Sequence, residues 1–201
     1  MIRRIFVTTA CAVALFAVSA QAQDKPVRVR GTIEAVDGAM LSIKARDGSA
    51  LKFKMADNTN VVAVVKASLA DIKPGSFVGS TAMPEEDGHW KAVEVHIFPE
   101  AMRGTGEGDR PYDYKPKSTM TNGTVDASVA VVSGSTMTLK YKEGEKKIDV
   151  TPETIIVMYA PGSKDELKPG AKIYIAAALK QEDGTLAAPR INVGRDIAPP
   201  M

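Results

Sequence analysis

Ile72-Lys73-Pro74-Gly75 and Leu167-Lys168-Pro169-Gly170 are one four-residue phrase written twice, and the stretches around them repeat as well. Gly31-Thr32-Ile33 answers to Gly123-Thr124-Val125. Leu41-Ser42-Ile43-Lys44 answers to Met137-Thr138-Leu139-Lys140, each alternating apolar and polar residues as a half-buried strand does. Asp47-Gly48 corresponds to Glu143-Gly144, Met55-Ala56-Asp57-Asn58-Thr59 to Val150-Thr151-Pro152-Glu153-Thr154, and Glu86-Asp87-Gly88 to Glu182-Asp183-Gly184. The offset is 92 residues between Gly31 and Gly123 and 95 between Gly75 and Gly170. Matched segments in one order at a nearly fixed offset read as a tandem duplication.

Each copy reads as four strands, a short turn and a final hairpin, punctuated by Gly, Pro, Asp and Asn. Ser163-Lys164-Asp165-Glu166 has the form of a capping box, with Ser68-Leu69-Ala70-Asp71 as its weaker counterpart. Lys-Pro-Gly then stops the helical turn, because Pro lacks an amide donor and Gly accepts a left-handed backbone. Five or six short strands in about seventy residues suit a closed barrel, which leaves no free sheet edge. The expected fold is all-β: two tandem small barrels of five to six strands, each with one short helical turn. The first spans residues 24–98 and the second 121–194, joined by a linker at 99–120 and followed by a tail at 195–201. Each copy is expected to fold alone.

Composition bounds the function. The chain has 201 residues, 44% hydrophobic and 25% charged, which are ordinary globular values. Residues 1–22 carry the pattern of a cleaved secretory signal: Arg3 and Arg4, an uncharged apolar run from Ile5 to Val18, and Ala20-Gln21-Ala22 before a mature start at Gln23. The run is too short for a membrane span, and no later stretch approaches one. The basic pair resembles a twin-arginine signal, but its brevity and the lack of a folded-cofactor motif favour general secretion. The expected location is periplasmic or secreted. Without Arg3 and Arg4 the 26 basic residues become 24, against 24 acidic, so the exported chain is neutral. That neutrality, with 5% aromatic residues, argues against nucleic acid as a partner. Cys11 lies in the leader, so the exported chain has no thiol chemistry.

The order G-T-(V/I), apolar strand, D/E-G, D/E-x-T, L/I-K-P-G, D-G resembles an exported bacterial family of unknown function built from OB-like β-barrel repeats. Gly31-Thr32, Asp47-Gly48, Asp57-Asn58-Thr59 and Ile72-Lys73-Pro74-Gly75 carry the resemblance in copy one. Gly123-Thr124, Glu143-Gly144, Glu153-Thr154 and Leu167-Lys168-Pro169-Gly170 carry it in copy two. It covers most of residues 28–98 and 121–194 and implies OB-like or SH3-like barrels. It supplies no catalytic residues.

Chemistry-bearing residues are few. The chain has two histidines, His89 and His96, and no Gly-x-Ser-x-Gly elbow, so a Ser-His-Asp triad is disfavoured. No cofactor is expected. The alternate glycines Gly104, Gly106 and Gly108 lack the lysine and the helix of a phosphate loop. On the strand from Trp90 to Phe98, simple alternation puts Trp90, Glu94 and His96 on an outer face and Val93, Val95 and Ile97 on the core face. The linker adds Arg103, Arg110, Tyr112 and Asp113, a mixture of flat apolar surface and charge that suits an interface. These seven residues form the candidate binding site, at the junction of the barrels. The leading expectation is an exported, non-enzymatic binding or scaffold protein for a periplasmic protein or small ligand. The alternative is a metal-handling protein using His89, Glu94, His96 and Met102.

Overall fold

Strands begin wherever apolar and polar residues alternate, and they end at the Gly, Pro and Asx turns. The computed structural model describes residues 25–199 except 87, 132 and 133, and of 127–131 and 134 only the backbone is described. The proposed leader lies outside these residues. The fold is all-β. Copy one supplies β1 (Val27–Asp37), β2 (Met40–Ala45), β3 (Ala50–Lys54), β4 (Asn60–Lys66), a 3-10 turn (Leu69–Asp71), β5 (Phe77–Pro84) and β6 (Trp90–Ile97). After a second 3-10 turn (Glu100–Met102), the linker contributes β7 (Gly108–Pro111), which pairs with the next strand, β8 (Thr119–Val131). Copy two continues with β9 (Gly134–Tyr141), β10 (Gly144–Val150), β11 (Ile155–Pro161), a third 3-10 turn (Lys164–Glu166), β12 (Lys172–Lys180), β13 (Leu186–Ala187) and β14 (Arg190–Gly194). The capping boxes form as expected: the Ser163 amide donates to Glu166 at 2.9 Å and the Ser68 amide to Asp71 at 2.8 Å.

The barrels do not close within the copies. β1, β2 and β3 pair in order, but β12 completes their ring by pairing with β1, Gly31 opposite Ile173, and β13 joins β12 to β3, Leu186 opposite Phe53. The reciprocal ring is β8, β9 and β10 with β5 and β6, where Gly123 lies opposite Val78 and Asp149 opposite Lys91. Each five-strand ring therefore takes three strands from one copy and two from the other. The segments 24–98 and 121–194 do not enclose one barrel each, and that expectation is corrected. The cause is the path of β4 and β11, which pair antiparallel between the rings from Val157–Lys66 to Pro161–Val62. Each carries the chain out of the ring it came from and into the other.

The pairings of one half recur in the other at offsets of 92 to 96 residues. Gly31–Ile173 corresponds to Gly123–Val78, and the register shift at Ile33/Ala35 to that at Val125/Ala127. Gly75 and Gly170 sit at φ +85° and +87°, where a side chain would be strained. Their amides donate to Val125 and Ile33 across the exchange, at 2.7 and 2.8 Å. The phrase that stops each helical turn thus also ties one copy to the other.

Each ring is filled by its own side chains. Ile33, Leu41, Ile43 and Phe53 pack with Ile173, Ile175 and Ile191 in one. Val78, Ala82 and Val95 pack with Val125, Met137, Leu139 and Ile148 in the other. A third cluster, with Val62, Val64, Phe77, Phe98, Val157, Tyr159 and Tyr174, lies between them. Burial of this apolar surface is the main favourable term in a cysteine-free domain.

Candidate functional site

Four strands bridge the seam in the order β14-β4-β11-β6. Val157 on β11 lies opposite His96, and Val62 on β4 lies opposite Asn192. These are corresponding places in the two halves, and both side chains help line a cavity of about 190 Å³. The linker at Thr105, Gly106, Arg110 and Tyr112 closes one side, and Asn122, Tyr159, Tyr174, Arg28 and Arg190 contribute the rest of its polar wall. Larger grooves lie elsewhere. The one of about 530 Å³ along β1 is open to solvent, and the arginines in it, Arg28 and Arg30, are already paired to Asp113.

Glu94 and His96 are each only 2% exposed. Strand alternation is interrupted on β6, where Thr81 faces Glu94 and Ala82 faces Ala92, leaving Val93 as an extra residue. This bulge reverses the faces along the strand. Trp90 and Ala92 pack into the barrel core before it, Val95 does so after it, and Glu94 and His96 turn to the seam. The expectation of one outer face holding Trp90, Glu94 and His96 is therefore wrong for Trp90. Lys146 instead sits 3.4 Å from the Trp90 ring centre and donates to Asp109 and Thr119.

His96 Nδ1 lies 3.0 Å from Glu94 Oε1, and Glu94 also accepts from Thr81 Oγ1 at 3.4 Å. This hydrogen bond through Nδ1 fixes the orientation of the imidazole, which lines the cavity. The ring lies against Gly79, where an added Cβ would strike both His96 and Asn122. Asn122 Nδ2 donates to the Thr105 carbonyl at 2.9 Å and Asn192 Nδ2 to the Tyr174 carbonyl at 3.1 Å. Both Oδ1 atoms are buried, without a hydrogen-bond partner among the described residues. Burial, and then the charge of Glu94, pushes the Tyr159 hydroxyl well above its ordinary pKa, so it stays protonated.

The linker is latched over this cavity by a ladder of arginine and tyrosine. Arg30 donates to Tyr112 Oη at 3.2 Å and to Asp113 at 3.0 Å, while Arg28 lies 3.3 Å from the same carboxylate. The Tyr112 and Tyr174 hydroxyls are 3.2 Å apart, and Arg30 lies over the Tyr174 ring at 5.2 Å. Partial burial opposes ionisation of Asp113, but the hydrogen bond and charge of Arg30, with Arg28, outweigh it and hold the carboxyl below its usual range. Arg110 donates to the Gly106 carbonyl at 2.7 Å, which shapes the linker turn.

Of the sequence candidates, the structure brings His96, Glu94, Arg110 and Tyr112 together, with Asp113 behind them as the latch. Arg103 is elsewhere, bound to Glu100 at 2.6 Å and to the Gly75 carbonyl at 2.9 Å. The metal set does not assemble. His89 is exposed at the far end of β6 beside Asp149, and Met102 packs against the aromatic cluster. Among the described residues no group of three His, Cys, Asp or Glu side chains could hold a metal ion. Asn122, Asn192, Tyr159, Tyr174, Arg28 and Arg190 were not candidates. Asn192 interrupts the apolar run Ile191-Asn192-Val193, and Gly79 sits inside a strand, a sign of close approach. Comparisons with protein-family models, curated proteins and solved structures return no match.

Proposed function

We propose that this is an exported, non-enzymatic binding protein that holds a small polar ligand in the seam between its barrels. The observation that carries the reading is the contrast between the filled barrel interiors and the seam. There, His96, Asn122 and Asn192 line one cavity, and both asparagine Oδ1 atoms lack a donor among the described residues. Unsatisfied buried polar atoms are rare in folded proteins and need an explanation, and a bound partner molecule is one. The leader pattern supports export, and the matched pairings support a tandem duplication of an OB-like unit. The metal-handling alternative loses support because His89 lies exposed beside Asp149, at the far end of β6 from His96.

Thermal-shift screening of the purified protein against small polar metabolites tests the reading. A ligand at a hundredfold excess over its Kd adds about 2.7 kcal/mol, which raises the melting temperature by roughly 5–10 °C for a chain of this size. The shift should vanish in Asn192→Leu. A library that moves nothing, or a shift that persists undiminished in that variant, would overturn the reading.

A further inference from the structure

We infer that the seam cavity takes a compact carboxylate that also bears hydroxyl or amino donors, that is, a small hydroxy acid or amino acid; this rests on the binding reading above. The two asparagines set the inner half of the requirement. Each is only 4% exposed, and each spends its Nδ2 on a backbone carbonyl. Turning either amide over would set its oxygen against that carbonyl oxygen, so the orientation is fixed and Oδ1 is the atom left over. An unmet buried acceptor is destabilising. Two of them on residues that line one cavity call for a ligand that donates.

The outer half is cationic. Arg190 and Arg110 line the same cavity, and among the described residues neither is ion-paired with a carboxylate. Guanidinium groups recognise planar oxyanions through paired N–H donors. No carboxylate lines the cavity, since Glu94 lies behind His96 and is occupied by it. The site therefore asks for one molecule that carries both an anionic group and hydrogen-bond donors. Bare phosphate or sulfate presents acceptors in every direction and would face the asparagine oxygens unfavourably. At about 190 Å³ the space is smaller than the grooves elsewhere on the molecule, which suits a compact ligand.

Calorimetric titration with L-serine, glycerate, propionate, ethanolamine and inorganic phosphate separates the two requirements. Serine or glycerate should bind one to one, with propionate, ethanolamine and phosphate at least ~10-fold weaker. Arg190→Met should weaken serine or glycerate at least ~10-fold and leave ethanolamine unchanged. Asn122→Leu should weaken them similarly and leave propionate unchanged, with Asn192→Leu replacing it if Asn122→Leu does not melt cooperatively. Propionate or phosphate binding as tightly as serine or glycerate overturns the need for donors, and ethanolamine doing so overturns the need for an anion. If neither serine nor glycerate binds while another compound gives an Asn192-dependent melting shift, the ligand class is wrong and the binding reading stands. If nothing binds at all, both fall.

Discussion

β6 and β14 occupy corresponding places in the two halves, yet one reads Glu94-Val95-His96 and the other Arg190-Ile191-Asn192. The central residue is fully buried in a barrel in both, as an aliphatic side chain of similar size. The flanking residues, which face the seam, have exchanged an acid for a base and an imidazole for an amide. Gly79 likewise stands where Tyr174 stands in the other half, and Asn122 where Arg30 does. Positions that fill a barrel stay alike because each ring must exclude water to the same extent. Positions on the seam meet one another across it, so unlike residues there produce one asymmetric site instead of two equal ones.

The largest effect tests whether the halves depend on each other. Fragments 23–105 and 106–201, prepared separately, each lack two strands of one ring and three of the other, so a barrel that either closes by itself should melt below the whole protein. Mixing them should restore a single transition by circular dichroism. A mixture that keeps the separate transitions of the two fragments would break the account of exchanged rings.

Glu94→Ala and Arg190→Ala alter corresponding residues with unequal results. Removing Glu94 leaves the buried His96 imidazole without its hydrogen-bond partner and should destabilise by about 2–4 kcal/mol, or roughly 5–15 °C in melting temperature. Arg190 is only partly buried, and its loss should stay within about 1 kcal/mol. Equal losses would mean that the Glu94–His96 pair contributes nothing beyond its packing. Val95→Ala and Ile191→Ala form the matching control in the barrels. Both positions are 0% exposed, so each should cost about 2–3 kcal/mol in chemical denaturation. A difference above about 1 kcal/mol between them would show that the two barrels are not equivalent in packing.

The smallest effect lies at the latch. The Asp113 carboxyl is held below its ordinary value in the folded protein, so its contribution is present above the unfolded pKa near 3.9 and is lost as pH falls through the depressed folded value. Asp113 is partly exposed, which limits the contribution to below about 1 kcal/mol. Melting curves across about pH 2 to 5 should therefore show a shallower acid decline in Asp113→Asn than in the parent. Identical slopes would remove the latch from the account.

Much of the fold is legible in the sequence because its causes are local. Alternation marks β2 and β9, capping chemistry marks the turns at Ser68 and Ser163, and Lys-Pro-Gly marks their ends. The exchange is not legible, because β5 and β12 offer β1 the same register and only the crossing of β4 and β11 decides between them. His96 and Glu94 stand out through scarcity and spacing. The extra residue at Val93 defeats a parity count, which is why Trp90 is grouped with them by sequence and separated by structure. Asn122 and Asn192 escape notice because a polar residue in a strand ordinarily faces solvent, and only segments distant in sequence, with Gly79 and Thr105 against Asn122 and Val62 opposite Asn192, cover them.

The exchanged rings also set an order of events for a chain made from its N-terminus. When β5 and β6 leave the ribosome, β1, β2 and β3 are already waiting, and the correct partner, β12, begins 75 residues further on, at Lys172 after Ile97. Because β5 offers β1 the register that β12 will later take, the nascent first half can shut on itself in a small, wrong barrel. Reaching the final form requires that early closure to reopen or never to form. A chain held extended until its last strand has appeared avoids the trap altogether.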